Sequence, residues 1–163
     1  MFLIFDTETT GLPKKWNVPL SDSENWPRCV QIAWQIHDFE GVCIENKSFL
    51  IKPEGYTIPY ESEKIHGIST ALANLKGEKI KNVLKTFLNS ISKCKYICGH
   101  NVKFDINIIG AELFRIGKEN QIGQLPIIDT CSEITAEITK LPGGRGGKFK
   151  FPTLSELYFN LFN

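Results

Sequence analysis

Phe2-Leu3-Ile4-Phe5 runs without a polar break and then stops at Asp6, a pattern that predicts a strand covered on both faces and ending in charge. Farther on, alternation takes over. Val30, Ile32, Trp34 and Ile36 interleave with Gln31, Ala33, Gln35 and His37, which predicts a strand with one apolar face. A turn at residues 38–41 returns the chain into a strand over residues 42–51, closed by Pro53, so the two form a hairpin beside the first strand. Residues 58–69 predict a short helix leading into His66-Gly67-Ile68-Ser69, with another brief helical piece behind it. Ile80, Val83, Leu84, Phe87, Leu88 and Ile91 then follow the i, i+3, i+4, i+7 spacing of an amphipathic helix packed on the sheet. Tyr96-Ile97-Cys98 predicts a fourth strand. Ile108, Ile109, Leu113 and Ile116 mark the buried side of the helix after it. Residues 126–130 predict a fifth strand, with Asp129 as N-cap of a helix through Ile138, and Thr153 and Glu156 have the capping-box spacing of a last helix.

Composition narrows the class. A chain of 163 residues suits one domain around a single core, and its apolar runs fall far short of the ~20 residues of a membrane span. The N-terminal apolar run is short and lacks a basic flank, so no signal peptide and a cytoplasmic location are expected. Five cysteines without a C-x-x-C pair argue against a disulfide framework or a zinc ribbon. A net charge of +1 excludes a polycationic coat for duplexes but not a small site that grips one strand end.

The chemistry concentrates where the first strand meets acid. If that strand continues through Asp6-Thr7-Glu8, both carboxylates leave one face with Cα atoms roughly 6.5–7 Å apart. Two bare carboxylates there repel and lose hydration, and a divalent cation relieves both. The plainer reading is a turn capped by Asp6 with Glu8 solvated, since Asp-Thr-Glu-Thr-Thr-Gly also suits a turn. Residues 13–27 show no period and carry Trp16 and Trp26. An exposed indole there could stack a base, but the favoured expectation is that both pack down and anchor the loop. Gly143-Gly144-Arg145-Gly146-Gly147-Lys148 is a flexible loop and not a P-loop, given Pro142 and Phe149 at its key positions. Lys140, Arg145, Lys148 and Lys150 lie there without an acid, either touching substrate phosphates or, the plainer reading, forming a solvated linker.

The string F-D-x-E-T-T-G-L at residues 5–12 resembles the first motif of the DEDD-type (DnaQ-like) 3′–5′ exonucleases of the RNase H-like superfamily. G-H-N-x-x-F-D-I, from Gly99 to Ile106, resembles their second motif, in which the aspartate opens a helix and faces the metals. His66-Gly67-Ile68-Ser69 is similar to the family's string lining the pocket for the terminal nucleotide, although a histidine before glycine equally suits a helix C-terminus. The resemblance implies an α/β, RNase H-like fold, with a mixed five-stranded sheet flanked by helices. It implies removal of nucleotides from the 3′ end of single-stranded DNA or RNA, as in proofreading or repair, by two Mg²⁺ or Mn²⁺ on four carboxylates. A DNA polymerase is among the partners it allows, and a membrane is not. Carried onto this sequence, it assigns Asp6, Glu8 and Asp105 as catalytic metal ligands and Thr9, Leu12, His66 and Phe104 as substrate-binding residues. It makes Asp129 structural.

The third family motif, H-x-x-x-x-D, is matched in spacing only by His100 and Asp105, which stand in the place of the second, so His100 reads as backbone support. No histidine follows His100 and no aspartate follows Asp129, and Tyr158 is followed four residues on by Phe162, which fails the tyrosine variant. The expectation is therefore a single exonuclease-like domain over residues 1–163, truncated before the last catalytic helix and weak or inactive alone. The competing class is a catalytically incomplete RNase H-like module that binds nucleic acid or a polymerase.

Overall fold

The computed structural model describes residues 1–120 and 122–163. Strands β1 (Phe2–Thr9), β2 (Cys29–His37), β3 (Cys43–Leu50), β4 (Tyr96–Gly99) and β5 (Ile127–Asp129) form one mixed sheet in the order β3-β2-β1-β4-β5. The first three make an antiparallel meander, while β4 and β5 join in parallel on the other side of β1. This is the α/β, RNase H-like architecture that the sequence motifs imply. Central β1 is thus the strand where pairing switches from antiparallel to parallel. Helices α1 (Tyr60–His66), α2 (Thr70–Lys76) and α3 (Ile80–Ile91) lie between β3 and β4; α4 (Val102–Arg115) follows β4, and α5 (Glu133–Thr139) and α6 (Leu154–Phe162) follow β5.

Alternation along the strands decides which face becomes core. Leu3 and Phe5 of β1 share a buried cluster with Ile32, Trp34 and Ile36 of β2 and Ile97 of β4. The stripes of α3 and α4 cover them, through Val83, Leu84, Phe87, Ile108, Ile109 and Leu113. Phe87 is the hub, its ring centroid 5.2 Å from that of Phe5 and 5.3 Å from that of Trp34. Both long helices occupy this one face. The other face of β1 consequently stays open at Ile4, which is 43% exposed, so the strand is not covered on both faces as its unbroken apolar run predicts. An uninterrupted run four residues long cannot by itself say how many faces are covered.

A smaller cluster of Val30, Ile58, Ile68 and Ala73 seats α1 and α2 beside the start of β2. Gly67 ends α1 in the left-handed region, with its N–H donating to the Glu63 carbonyl at 2.7 Å. At the other end of the chain, Thr153 and Glu156 form the capping box of α6 as their spacing predicts. The glycine-rich loop before it differs from expectation. Lys148 pairs with Glu133 at 2.8 Å and Lys150 with Glu156 at 2.7 Å, so two of its four cations are answered by acids from neighbouring helices. Among the described residues, no helix is long and apolar enough to cross a membrane.

Candidate active site

The ladder between β1 and β4 stops at the Ile4–Cys98 pair, while β1 runs on through Thr9. Beyond that point the strands part, and the N-terminus of α4 fills the gap. In α/β sheets such a crevice at strand ends, where the pairing direction switches, is where ligands bind. Gly99 makes the close approach possible: a Cβ there would lie 2.7 Å from Val102 Cγ2 and 3.2 Å from the Phe5 carbonyl oxygen.

Helix α4 is fixed in the crevice from two sides. Asp129, at the end of β5 and paired with Gly99 in the sheet, accepts from Asn101 N at 2.7 Å and Val102 N at 3.1 Å. It therefore answers free N–H groups at the start of α4. It also accepts from Cys131 N at 2.8 Å, but the N-cap of α5 is Ser132, within a capping box closed by Thr135. The expected cap on the following helix is thus corrected: strand pairing sets Asp129 beside the preceding helix, a long-range neighbour that local spacing does not reveal. Asn101 itself takes a left-handed conformation, φ 60°, at the turn into the helix. From the other side, Asp105 Oδ1 accepts from Thr7 N at 2.9 Å and Thr7 Oγ1 at 2.6 Å. These bonds use the edge of β1 that β4 has left unpaired.

The strand's alternation now sorts three neighbours. Thr7 points inward and is buried, while Asp6 and Glu8 leave the opposite face. Protein packed around Asp6 raises its carboxyl pKa, opposed by the Thr7 N–H and by the nearby His100 ring. Glu8 is raised by burial and by the charge of Asp6, opposed by His66. Burial pushes Asp105 up to about 7; the Thr7 hydroxyl opposes the rise and the charge of Asp6 adds to it. The three acids therefore feel one another in sequence, Glu8 to Asp6 to Asp105. Among the described residues, however, no three His, Cys, Asp or Glu side chains form a ready-made metal group. Asp105 spends one oxygen on Thr7 instead.

The remaining residues singled out from sequence surround this row. His66, at the C-terminal end of α1, accepts from Ile68 N at its Nδ1 at 3.1 Å, which assigns the ring proton to Nε2. That Nε2 is buried, and it has no hydrogen-bond partner among the described residues; the ring lies near Glu8. Thr9 Oγ1 donates to the Gly11 carbonyl at 2.7 Å and shapes the turn after the strand rather than standing free. Leu12 is 73% exposed, and Phe104 is half-buried beside Trp16. His100 Nδ1 bonds Thr130 Oγ1 at 3.0 Å, tying the ends of β4 and β5. A cavity of about 660 Å³ opens between Asp6, His100, Gln35 and Leu154. Sequence reasoning did not single out Thr7, the variable position of D-x-E, although period-2 alternation already placed it on the face where a helix must pack.

A second buried acid lies two turns farther along α4. Glu112 Oε1 accepts from Arg28 Nε at 2.9 Å and Cys29 N at 3.0 Å, and Arg115 Nη1 lies 3.1 Å from the same oxygen. Arg28 in turn stacks over the Tyr56 ring at 4.3 Å. Its backbone pairs with Thr10, so this ion cluster fixes the turn that leaves Asp6 and Glu8.

A family model described as Exonuclease matches residues 3–161. No curated protein matches the chain. Among solved structures, E. coli Exonuclease I in complex with a dT13 oligonucleotide is similar at a TM-score of 0.71 and 22% identity, over 98% of this chain and 35% of that one. A product-bound structure of exonuclease I gives a TM-score of 0.74 and 22% identity, over 98% and 37%. The zinc-ion-bound form of an E. coli ExoI–ssDNA complex gives 0.69 and 24%, over 88% and 30%. This chain thus spans about a third of the length of the solved chains it matches. At these identities the likeness is one of fold.

Proposed function

This chain belongs to the exonuclease family, and from that premise we propose that it acts on single-stranded DNA or RNA, removing nucleotides from the 3′ end with divalent metal. One observation carries the reading: Asp105, buried in the first turn of α4, is hydrogen-bonded to Thr7, the residue between Asp6 and Glu8 on β1, rather than to a basic side chain, and burial raises all three carboxyls. Their donor chemistry fits Mg²⁺ or Mn²⁺, which favour carboxylate oxygens. Asp6, Glu8 and Asp105 would hold the metal, which supplies Lewis-acid stabilisation of charge on the scissile phosphate and a more acidic bound water.

The chain's own residues do the rest. Asp129 fixes the entry of α4 and so the approach of Asp105 to β1. His66 lines the pocket beside Glu8, while Leu12 and Phe104 offer apolar contact to the terminal base. The third motif of the family has no counterpart in these 163 residues. General-base catalysis contributes about 10²–10⁴-fold, so residues 1–163 alone are slow.

A 5′-labelled single strand incubated with excess protein and Mn²⁺ should shorten slowly from its 3′ end, and Asp6→Ala should stop it. Cleavage starting at the 5′ end, or cleavage unchanged in Asp6→Ala, contradicts the proposal; a rate typical of enzymes contradicts the incompleteness of the site. The absence of a ready-made three-ligand group among the described residues favours a second reading, a module that holds a 3′ end without cutting it. It predicts binding with no shortening in either metal.

A further inference from the structure

The two indoles of residues 13–27, expected to pack down together, are used differently. Trp26 is 3% exposed and its Nε1 donates to the Pro19 carbonyl at 3.1 Å, which anchors the loop. Trp16 is 54% exposed, with its ring centroid 6.0 Å from that of Phe104 and the two planes 56° apart. That tilt braces the indole without a second ring covering its face. The loop holds this arrangement through buried Asn25, whose side chain accepts from Lys15 N at 2.7 Å and donates to the Lys15 carbonyl at 2.9 Å. A backbone bond from Lys14 N to the Asn25 carbonyl adds a third tie. The indole is therefore presented outward by a clamped backbone rather than left on a slack one.

Charge supplies the second, independent observation. Lys14 and Lys15 precede Trp16, Lys103 precedes Phe104, and all three are exposed. The ion pairs found among the described residues include none of the three. Aromatic faces set between free cations suit single-stranded nucleic acid, whose bases stack and whose phosphates need neutralising. Phe104 is the residue before Asp105, so this surface borders the carboxylate row.

We propose that Trp16, braced by Phe104, is a stacking platform for a base of the single strand whose 3′ end enters the carboxylate site, with Lys14, Lys15 and Lys103 on its phosphates. The proposal rests on the exonuclease reading for the identity of the ligand. Stacking on an indole is sequence-tolerant, so the platform helps hold any strand and imposes little base preference.

The test is binding without hydrolysis. Fluorescence anisotropy follows the full chain in EDTA and low salt against 5′-labelled oligothymidylate, intact or with one abasic residue moved stepwise from the 3′ end. Wild type should lose about tenfold in affinity when the abasic residue falls at one position, within the range for base–aromatic stacking. Trp16→Ala should show the same loss on the intact strand and no dependence on that position, and Trp16→Phe should recover most of it. Lys14→Ala and Lys103→Ala should each flatten the dependence of log K on log salt by about 0.7. Equal binding and an equal abasic profile in wild type and Trp16→Ala overturn the platform and leave the exonuclease reading standing. Failure of wild type to bind any intact strand overturns both.

Discussion

Helix α4 carries two buried acids seven residues apart, Asp105 at 3% exposure and Glu112 at 1%, and the protein treats them in opposite ways. Glu112 is met by Arg28, by Arg115 and by the Cys29 N–H. Asp105 accepts from the N–H and hydroxyl of Thr7, and the charge of another carboxylate, Asp6, adds to its raised pKa. Burying an ion without a counterion is expensive, so the difference is informative. At Glu112 the chain neutralises its own charge and gains a fixed joint between α4 and the start of β2. At Asp105 no basic side chain among the described residues plays that part, which fits the proposed metal site.

Replacing each acid should sharpen the contrast, beginning with the larger effect. Glu112→Ala leaves two half-buried arginines without their buried partner and should destabilise the fold by about 3 kcal/mol in urea denaturation, with no rescue by divalent metal. Asp105→Asn should behave oppositely and with a pH signature. Burial pushes the Asp105 carboxyl up from its ordinary 3.8 to about 7, so between those limits the folded state binds more protons than the unfolded one. Stability from this group is thus greatest below about pH 4 and falls as pH rises to about 7, by roughly 4 kcal/mol at most. Asp105→Asn should match wild type at pH 4 and exceed it at pH 8; a variant less stable than wild type at pH 8 would contradict the unpaired-acid account. Removing the supports should cost less. Asp129→Ala frees three N–H groups at the start of α4 and of the β5–α5 turn, for about 1–2 kcal/mol by thermal denaturation. Thr7→Val removes one hydroxyl bond from Asp105 and leaves the backbone bond, for roughly 0.5–1.5 kcal/mol.

The same contrast shows what could be read in the sequence. Asp6 and Glu8 were legible because a strand's period of two puts i and i+2 on one face, and Asp105 because G-H-N-x-x-F-D-I resembles a family motif. Individual strands and helices followed from the two hydrophobic periods, and the mixed five-stranded sheet from the family resemblance. Glu112 and Arg28 were not legible: they are 84 positions apart, and a glutamate in a helix looks the same whether solvated or buried. Asp129 was recognised as structural, but strand pairing, not local spacing, chooses the helix it serves. The openness at Ile4 was missed because α3 and α4 share one face of the sheet, an outcome of topology. Trp16 and Trp26 could not be told apart until the clamp through Asn25 turned one of them outward.

In the proposed function the carboxylate row holds a divalent cation that the chain itself does not supply. Calorimetric titration of Mn²⁺ into the 163-residue chain at pH 8, alongside Asp6→Ala and Asp105→Asn, tests it directly. Saturable binding is expected in wild type, weakened on the order of tenfold or more in each variant, since losing even a supporting partner of a metal ligand costs about 10–100-fold. Equal Mn²⁺ affinity in all three proteins would contradict it.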